Sequence, residues 1–186
     1  MYKEKLYYCA DGRYIVNMSF EIGEYVVYDS GEICRIDEMV QRCFDGIEVK
    51  DYYKLVPVYL KGSTFYIPAD DYEGRVRSLL SKEEIYALID EMPDVQTKWY
   101  DDKNQRKKKF LDVLHGDNYH ELISMIRSIY IQKEEQNRKG KKLNSYDERA
   151  MLEAEKMINH EFAFVLGINE KDVEGFIKSR IIQKNK

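Results

Sequence analysis

At Ser81 the hydrophobic period of this chain changes from two to nearly four, and no single layer of secondary structure can satisfy both patterns. Upstream, Tyr25–Asp29 and Ile33–Val40 are β-branched and aromatic runs separated by the turn cluster Asp29-Ser30-Gly31. Phe44-Asp45-Gly46 reads as a second turn, because Asp-Gly favours a hairpin. Val49–Leu60 then reads as a long strand, Lys61-Gly62-Ser63 as a turn, Thr64–Pro68 as a strand and Arg75–Leu79 as the last one. Pro57 and Pro68, which cannot donate to a ladder, belong at an edge or a strand end. Five short strands joined by tight turns predict a small Tudor- or SH3-like β-barrel.

From Ser81 onward the apolar residues recur at helical spacing. Tyr119, Leu122, Ile123, Ile126, Ile129 and Tyr130 form one stripe, and Met151, Ala154, Ile158, Phe162 and Val165 form another. Four pairs have the spacing of a capping box: Ser81 with Glu84, Asn118 with Glu121, Ser145 with Glu148, and Asn169 with Asp172. Gly116, Gly140 and Gly167 fall where helices end and a left-handed residue is cheap. The expected fold is α+β: a β domain over residues 18–80, then a bundle of four or five helices over 81–186. Residues 1–17 fit neither pattern. They read as an added strand or, with Met18 just before the first recognisable module, as the result of a start placed too far upstream.

Charge and chemistry narrow the function. Lys+Arg number 30 against 34 Asp+Glu, for a net charge of -4, whereas a free-standing DNA binder usually carries a basic excess. Any DNA contact would therefore be weak alone and would need a protein tether. Cys9, Cys34 and Cys43 are odd in number and share no metal-ligand spacing, which suits a reduced cytoplasm. No apolar run is long enough for a membrane span, and no signal peptide is evident, so a cytoplasmic protein is expected. There is no phosphate loop, His-Glu-x-x-His, Cys-x-x-Cys or nucleophile elbow. His115, His120 and His160 share no metal-site spacing and read as ordinary packing histidines. The paired acids Asp70-Asp71 and Asp101-Asp102 sit where turns and helix starts call for acids. No catalytic residue, metal or cofactor is predicted.

Trp99, the only tryptophan, stands outside any apolar stripe, and Arg106-Lys107-Lys108-Lys109 follow it on a helix packed through Phe110, Leu111 and Leu114. Such a ring beside cations can wedge a base step while the cations hold phosphates. The competing readings are a core residue capping the bundle and a solvated basic face whose stems cover apolar surface.

The run Phe20-Glu21-Ile22-Gly23-Glu24-Tyr25-Val26-Val27-Tyr28 followed by Gly31 resembles the opening of CarD-type regulators and of the polymerase-interacting module of transcription-repair coupling factors. The resemblance continues through Asp45-Gly46, Tyr52-Tyr53-Lys54-Leu55 and Ile67-Pro68. It then runs through Trp99 and the basic segment, His115-Gly116-Asp117, Ile129-Tyr130, and Leu143 past Asp147-Glu148 to Glu155 and Glu161, covering residues 18–180. It implies a non-enzymatic monomer whose β domain docks on the RNA polymerase β subunit by edge-strand pairing. By position Arg42, Phe44 and Tyr66 would face the polymerase. Trp99 would enter the minor groove of promoter DNA at the upstream edge of the bubble, with Lys98, Arg106, Lys107 and Lys108 on phosphates.

The chain departs from the family pattern in three places. Tyr66 stands where relatives often carry Arg, Asp29-Ser30 replaces a Pro and a His with one residue fewer, and about three residues are inserted between Trp99 and Gly116. The alternative is a protein-interaction module, binding polymerase or another partner without touching DNA.

Overall fold

The computed structural model describes residues 20–184 except Ser30, Asp45 and Glu73, together with the short ladder β1 (Tyr7–Tyr8) and β2 (Tyr14–Ile15). Cys9 and most of the 1–17 extension lie outside the described residues. The chain divides into two compact units, residues 1–79 and 80–186.

Besides that ladder, the described residues of the first unit form a five-stranded antiparallel sheet of β3 (Tyr25–Tyr28), β4 (Glu32–Arg42), β5 (Lys50–Pro57), β6 (Phe65–Pro68) and β7 (Val76–Ser78). Its order is β6-β5-β4-β3-β7, so β6 and β7 are the edges. Pro57 and Pro68 each end their strand, where a missing donor does least harm. The core is Phe20, Val26, Cys34, Ile36, Tyr53, Leu55 and Ile67. Strand β4 keeps its apolar side chains on this core despite its length because the register shifts between Ile36 and Glu38. One extra residue, Asp37, lets Ile36 and Met39 both pack inward three positions apart. Lys54 on β5 holds the bulge between Asp37 at 3.0 Å and Glu38 at 2.8 Å. Hydrogen bonding from Lys54 keeps the Asp37 carboxyl below its ordinary range.

The β3–β4 turn bends through Asp29 (φ 46°) and Gly31 (φ 93°). Left-handed backbone suits Asp better than most residues, and Gly best of all. The second connection is not the tight hairpin that Asp-Gly suggested. Arg42 pairs with Lys50, which leaves Cys43–Val49 as a seven-residue loop; Asp45 itself lies outside the described residues.

The described residues of the second unit form five helices: α1 (Lys82–Glu91), α2 (Lys103–Leu114), α3 (Tyr119–Arg138), α4 (Ser145–Leu166) and α5 (Glu170–Lys184). A 3-10 turn, Met92–Asp94, follows α1. Helix α4 packs against all four others, and its Phe162 is fully buried with its ring stacked 6.3 Å from that of Tyr119. Beside them the Tyr119 hydroxyl donates to the buried Glu161 carboxylate, which also accepts from the Leu80 amide at 2.8 Å. A carboxylate this deep persists only with such donors.

The caps differ in detail from those expected. Ser81 and Glu84 form a complete capping box, and Asn118 accepts from the amides of His120 and Glu121. The cap of α4 is Asn144, one residue before Ser145, with its side chain accepting from Tyr146. Gly140 and Gly167 are left-handed, but Gly116 is not, because α2 ends on a right-handed His115. Tyr130, placed on the buried stripe of α3 by spacing, is exposed, and Met125 and Ser128 are buried instead.

Ser81→Ala should destabilise the helical unit by about 1 kcal/mol at neutral pH. The Ser81 amide and hydroxyl lower the pKa of Glu84 from 4.5. The reciprocal half of the box is therefore full above pH 4.5 and is lost as pH falls through the lowered value. Urea titrations across that range should show the gap between parent and variant narrowing with acidification. A gap independent of pH would mean that the bond from the Ser81 hydroxyl to the Glu84 carboxylate adds nothing.

Candidate functional site

Two surfaces hold the residues singled out by the sequence, one in each unit. In the first unit the cluster lies at the far end of the β4–β5 hairpin. Phe44 follows β4 and is 58% exposed. Its ring lies 4.9 Å from that of Tyr52 on β5 and 5.3 Å from that of Tyr66 on the edge strand β6. Ile47 and Val49, in the same connection, are also exposed. Exposed aromatic and aliphatic side chains on one connection are the chemistry a protein contact would use. Arg42 ends β4 in solvent, its guanidinium donating to the Gln41 carbonyl at 3.2 Å. The structure thus brings Phe44 and Tyr66 together and places Arg42 two residues before Phe44. Tyr52 was not among the residues singled out for this surface. Nothing in its sequence position signalled that it would bridge a loop and an edge strand.

In the second unit the site is the extended segment Val95–Asp102, between the 3-10 turn and α2. Helix α3 holds its beginning. One guanidinium nitrogen of Arg127 donates to the carbonyls of Met92 (3.0 Å), Pro93 (2.6 Å) and Val95 (3.0 Å). The Ser124 hydroxyl donates to the Gln96 carbonyl at 2.7 Å. Helix α2 holds the other end, where Asp102 caps the helix by accepting from Gln105 and Arg106 donates to the carbonyls of Tyr100 (2.7 Å) and Asp101 (3.3 Å). Trp99, between these two clamps, is half-buried. Its ring lies 6.3 Å from that of Phe110 and 4.4 Å from the Arg106 guanidinium.

Arg106 corrects an expectation. It is 7% exposed, not a surface cation. Its Nε and one terminal nitrogen pair with Asp147 on α4 at 3.1 and 3.0 Å, its other nitrogen holds the two carbonyls, and Trp99 covers its face. A guanidinium with every nitrogen committed inside the fold is not free to hold a phosphate. Lys98, Lys107 and Lys108 are exposed, as a phosphate contact requires. Lys98 lies 5.0 Å over the Tyr100 ring and Lys107 lies 4.8 Å over the Tyr146 ring. An open depression of about 480 Å³ beside the segment is lined by Lys98, Tyr100, Lys109 and Phe110 among others.

No group of three or more His, Cys, Asp or Glu among the described residues could hold a metal. Burial pushes the Cys34 thiol up to about 12, aided by the charge of Glu32, which leaves it inert. Exposed His120 pairs with Glu91 at 2.7 Å, and buried His160 with Glu170 at 3.4 Å. Among the described residues no helix is long and apolar enough to cross a membrane.

Residues 20–80 match the family model of the CarD-like/TRCF RID domain. The comparison with curated proteins found no match.

Proposed function

From the match of residues 20–80 to the CarD-like/TRCF RID domain model, we propose that this chain is a non-enzymatic transcription regulator tethered to RNA polymerase. Its sheet docks on the polymerase β subunit through the edge strand β6, a surface that can accept an added strand. Phe44 and Tyr66 supply an aromatic anchor and Arg42 a flanking charge. The observation that carries this reading is the exposed Phe44–Tyr66 ring contact on that edge strand, within the matched residues. Once tethered, the helical unit presents Trp99 to the upstream edge of the promoter bubble, with Lys98, Lys107 and Lys108 toward phosphates. A wedge and a few phosphate contacts supply only a few kcal/mol, too little for a stable free complex. The same energy, delivered on a polymerase, is enough to shift promoter opening by one or two decades.

The test is calorimetry of the full chain against the isolated lobe of the β subunit. Phe44→Ala should weaken binding at least tenfold, as loss of an aromatic anchor does, and Arg42→Glu should weaken it further. Unchanged affinity in both variants would remove the docking assignment.

A second reading, a protein-interaction module that never touches DNA, is favoured by a specific observation. Trp99 packs on Phe110 and covers Arg106, so the ring has structural work inside the bundle. A salt titration of fork-DNA binding in the polymerase complex separates the two, because phosphate contacts give a steep slope and protein contacts do not.

A further inference from the structure

Helices α3 and α4 are joined by Arg138-Lys139-Gly140-Lys141-Lys142, four cations in five residues, all exposed. Among the described residues none of the four has an ion pair or hydrogen-bonded acid. Arg138 and Lys139 sit at the C-terminus of α3, where cations complement the helix dipole. Lys141 and Lys142 lie beyond that end and have no such role.

The segment is shaped, not loose. The amides of Lys139 and Lys141 both donate to the Gln136 carbonyl, at 3.0 and 2.9 Å, and Gly140 turns the chain at φ 67°. It leads directly into the Asn144 cap of α4, whose helix N-terminus adds positive potential of the same sign. The first turn of α4 is bonded to α2. The Tyr146 hydroxyl donates to the Lys107 carbonyl at 3.3 Å, the Lys107 ammonium lies over the Tyr146 ring, and Asp147 holds Arg106. Four residues of chain span at most about 14 Å, so Lys142 cannot lie farther than that from Tyr146.

We propose that Arg138–Lys142 is a second phosphate-binding segment, which the Tyr146–Lys107 contact joins to the basic end of α2 to make one continuous cationic surface for a DNA backbone. This rests on the DNA-contact reading above and adds a part of the surface that local sequence around Trp99 does not contain. On α4 the first-turn acid Asp147 is neutralised by Arg106, so Glu148 is the first-turn acid there that the four cations must outweigh. Duplex DNA carries a charge every ~1.7 Å of axis, so cations spread over such a surface meet several phosphates at once.

The experiment is a salt titration of fork-DNA binding by the full chain on RNA polymerase. It compares the parent, the triple variant Lys139→Gln/Lys141→Gln/Lys142→Gln, and a charge-matched control, Lys82→Gln/Lys156→Gln/Lys171→Gln. The triple variant should flatten the slope of log affinity against log salt by about 2 to 3. Between 50 and 200 mM salt it would lose roughly 16- to 64-fold less affinity than the parent. The control should keep the parent slope, and thermal melting should show all three folded. An unchanged slope in the triple variant, or an equal drop in the control, overturns the proposal while leaving DNA contact near Trp99 intact. A parent with no salt slope at all removes the DNA reading itself, and this segment's role with it.

Discussion

Asp147→Ala is expected to destabilise the helical unit by about 3–5 kcal/mol, the cost of breaking a buried ion pair from one side. The pair is well shielded, with the Arg106 and Asp147 side chains 8% and 4% exposed. Two parallel bonds, Nε to Oδ1 at 3.1 Å and Nη2 to Oδ2 at 3.0 Å, join α2 to α4. Removing the carboxylate strands a guanidinium beneath Trp99 with only the Tyr100 and Asp101 carbonyls for partners. For a unit of this size the loss corresponds to a fall in Tm of at least ~12 °C. Replacing both partners by apolar side chains, Arg106→Met with Asp147→Leu, should recover most of it, since an intact buried pair is worth little against good packing. Because Trp99 is the only tryptophan, its fluorescence should report loosening of the segment before global melting. A loss below about 1 kcal/mol for Asp147→Ala would place the pair in effective contact with water and undo the argument.

The pair also shows where reading the sequence stops. Forty-one positions separate Arg106 from Asp147, and neither looks special locally. One stands first in a basic run, and the other is an acid in the first turn of a helix, where acids are ordinary. Their meeting depends on how α2 crosses α4, which no periodicity encodes. The same holds for Arg127, an exposed cation on α3 whose clamp on three carbonyls depends on where the preceding segment passes. By contrast, the five strands, the five helices and the Ser81–Glu84 box follow from local chemistry: β-branched runs, stripes and a side chain three residues from its partner amide. The error of one residue at α4 arises where two local signals compete. Asn144 and Ser145 are both good caps, and the longer reach of the Asn side chain places its oxygen on Tyr146. Phe44, in the β4–β5 loop, and Tyr66, on β6, were legible only through resemblance, because their ring contact joins a loop to a separate strand.

Trp99→Phe and Trp99→Ala together are expected to shorten open-complex lifetime about tenfold or more, equivalent to at least ~1.4 kcal/mol of wedge energy. Affinity for the β-subunit lobe should stay unchanged, because Phe44 and Tyr66 lie in the other unit. The two substitutions are needed because Trp99 also acts within the fold. Alanine removes both the wedge and the aromatic cover over Arg106, so it should cost stability as well, though less than the 3–5 kcal/mol typical of a fully buried ring. Phenylalanine keeps an aromatic face over the guanidinium and an edge toward Phe110, but lacks the reach and the indole N–H. A wedge predicts that lifetime falls in both variants while the Phe variant melts cooperatively near the parent temperature. A structural latch predicts the opposite pairing, with the Phe variant normal in lifetime and only the Ala variant impaired, in proportion to its lost stability. Stopped-flow decay of promoter complexes beside thermal melting of the same preparations decides between them. The second outcome would transfer the helical unit from DNA to a protein partner.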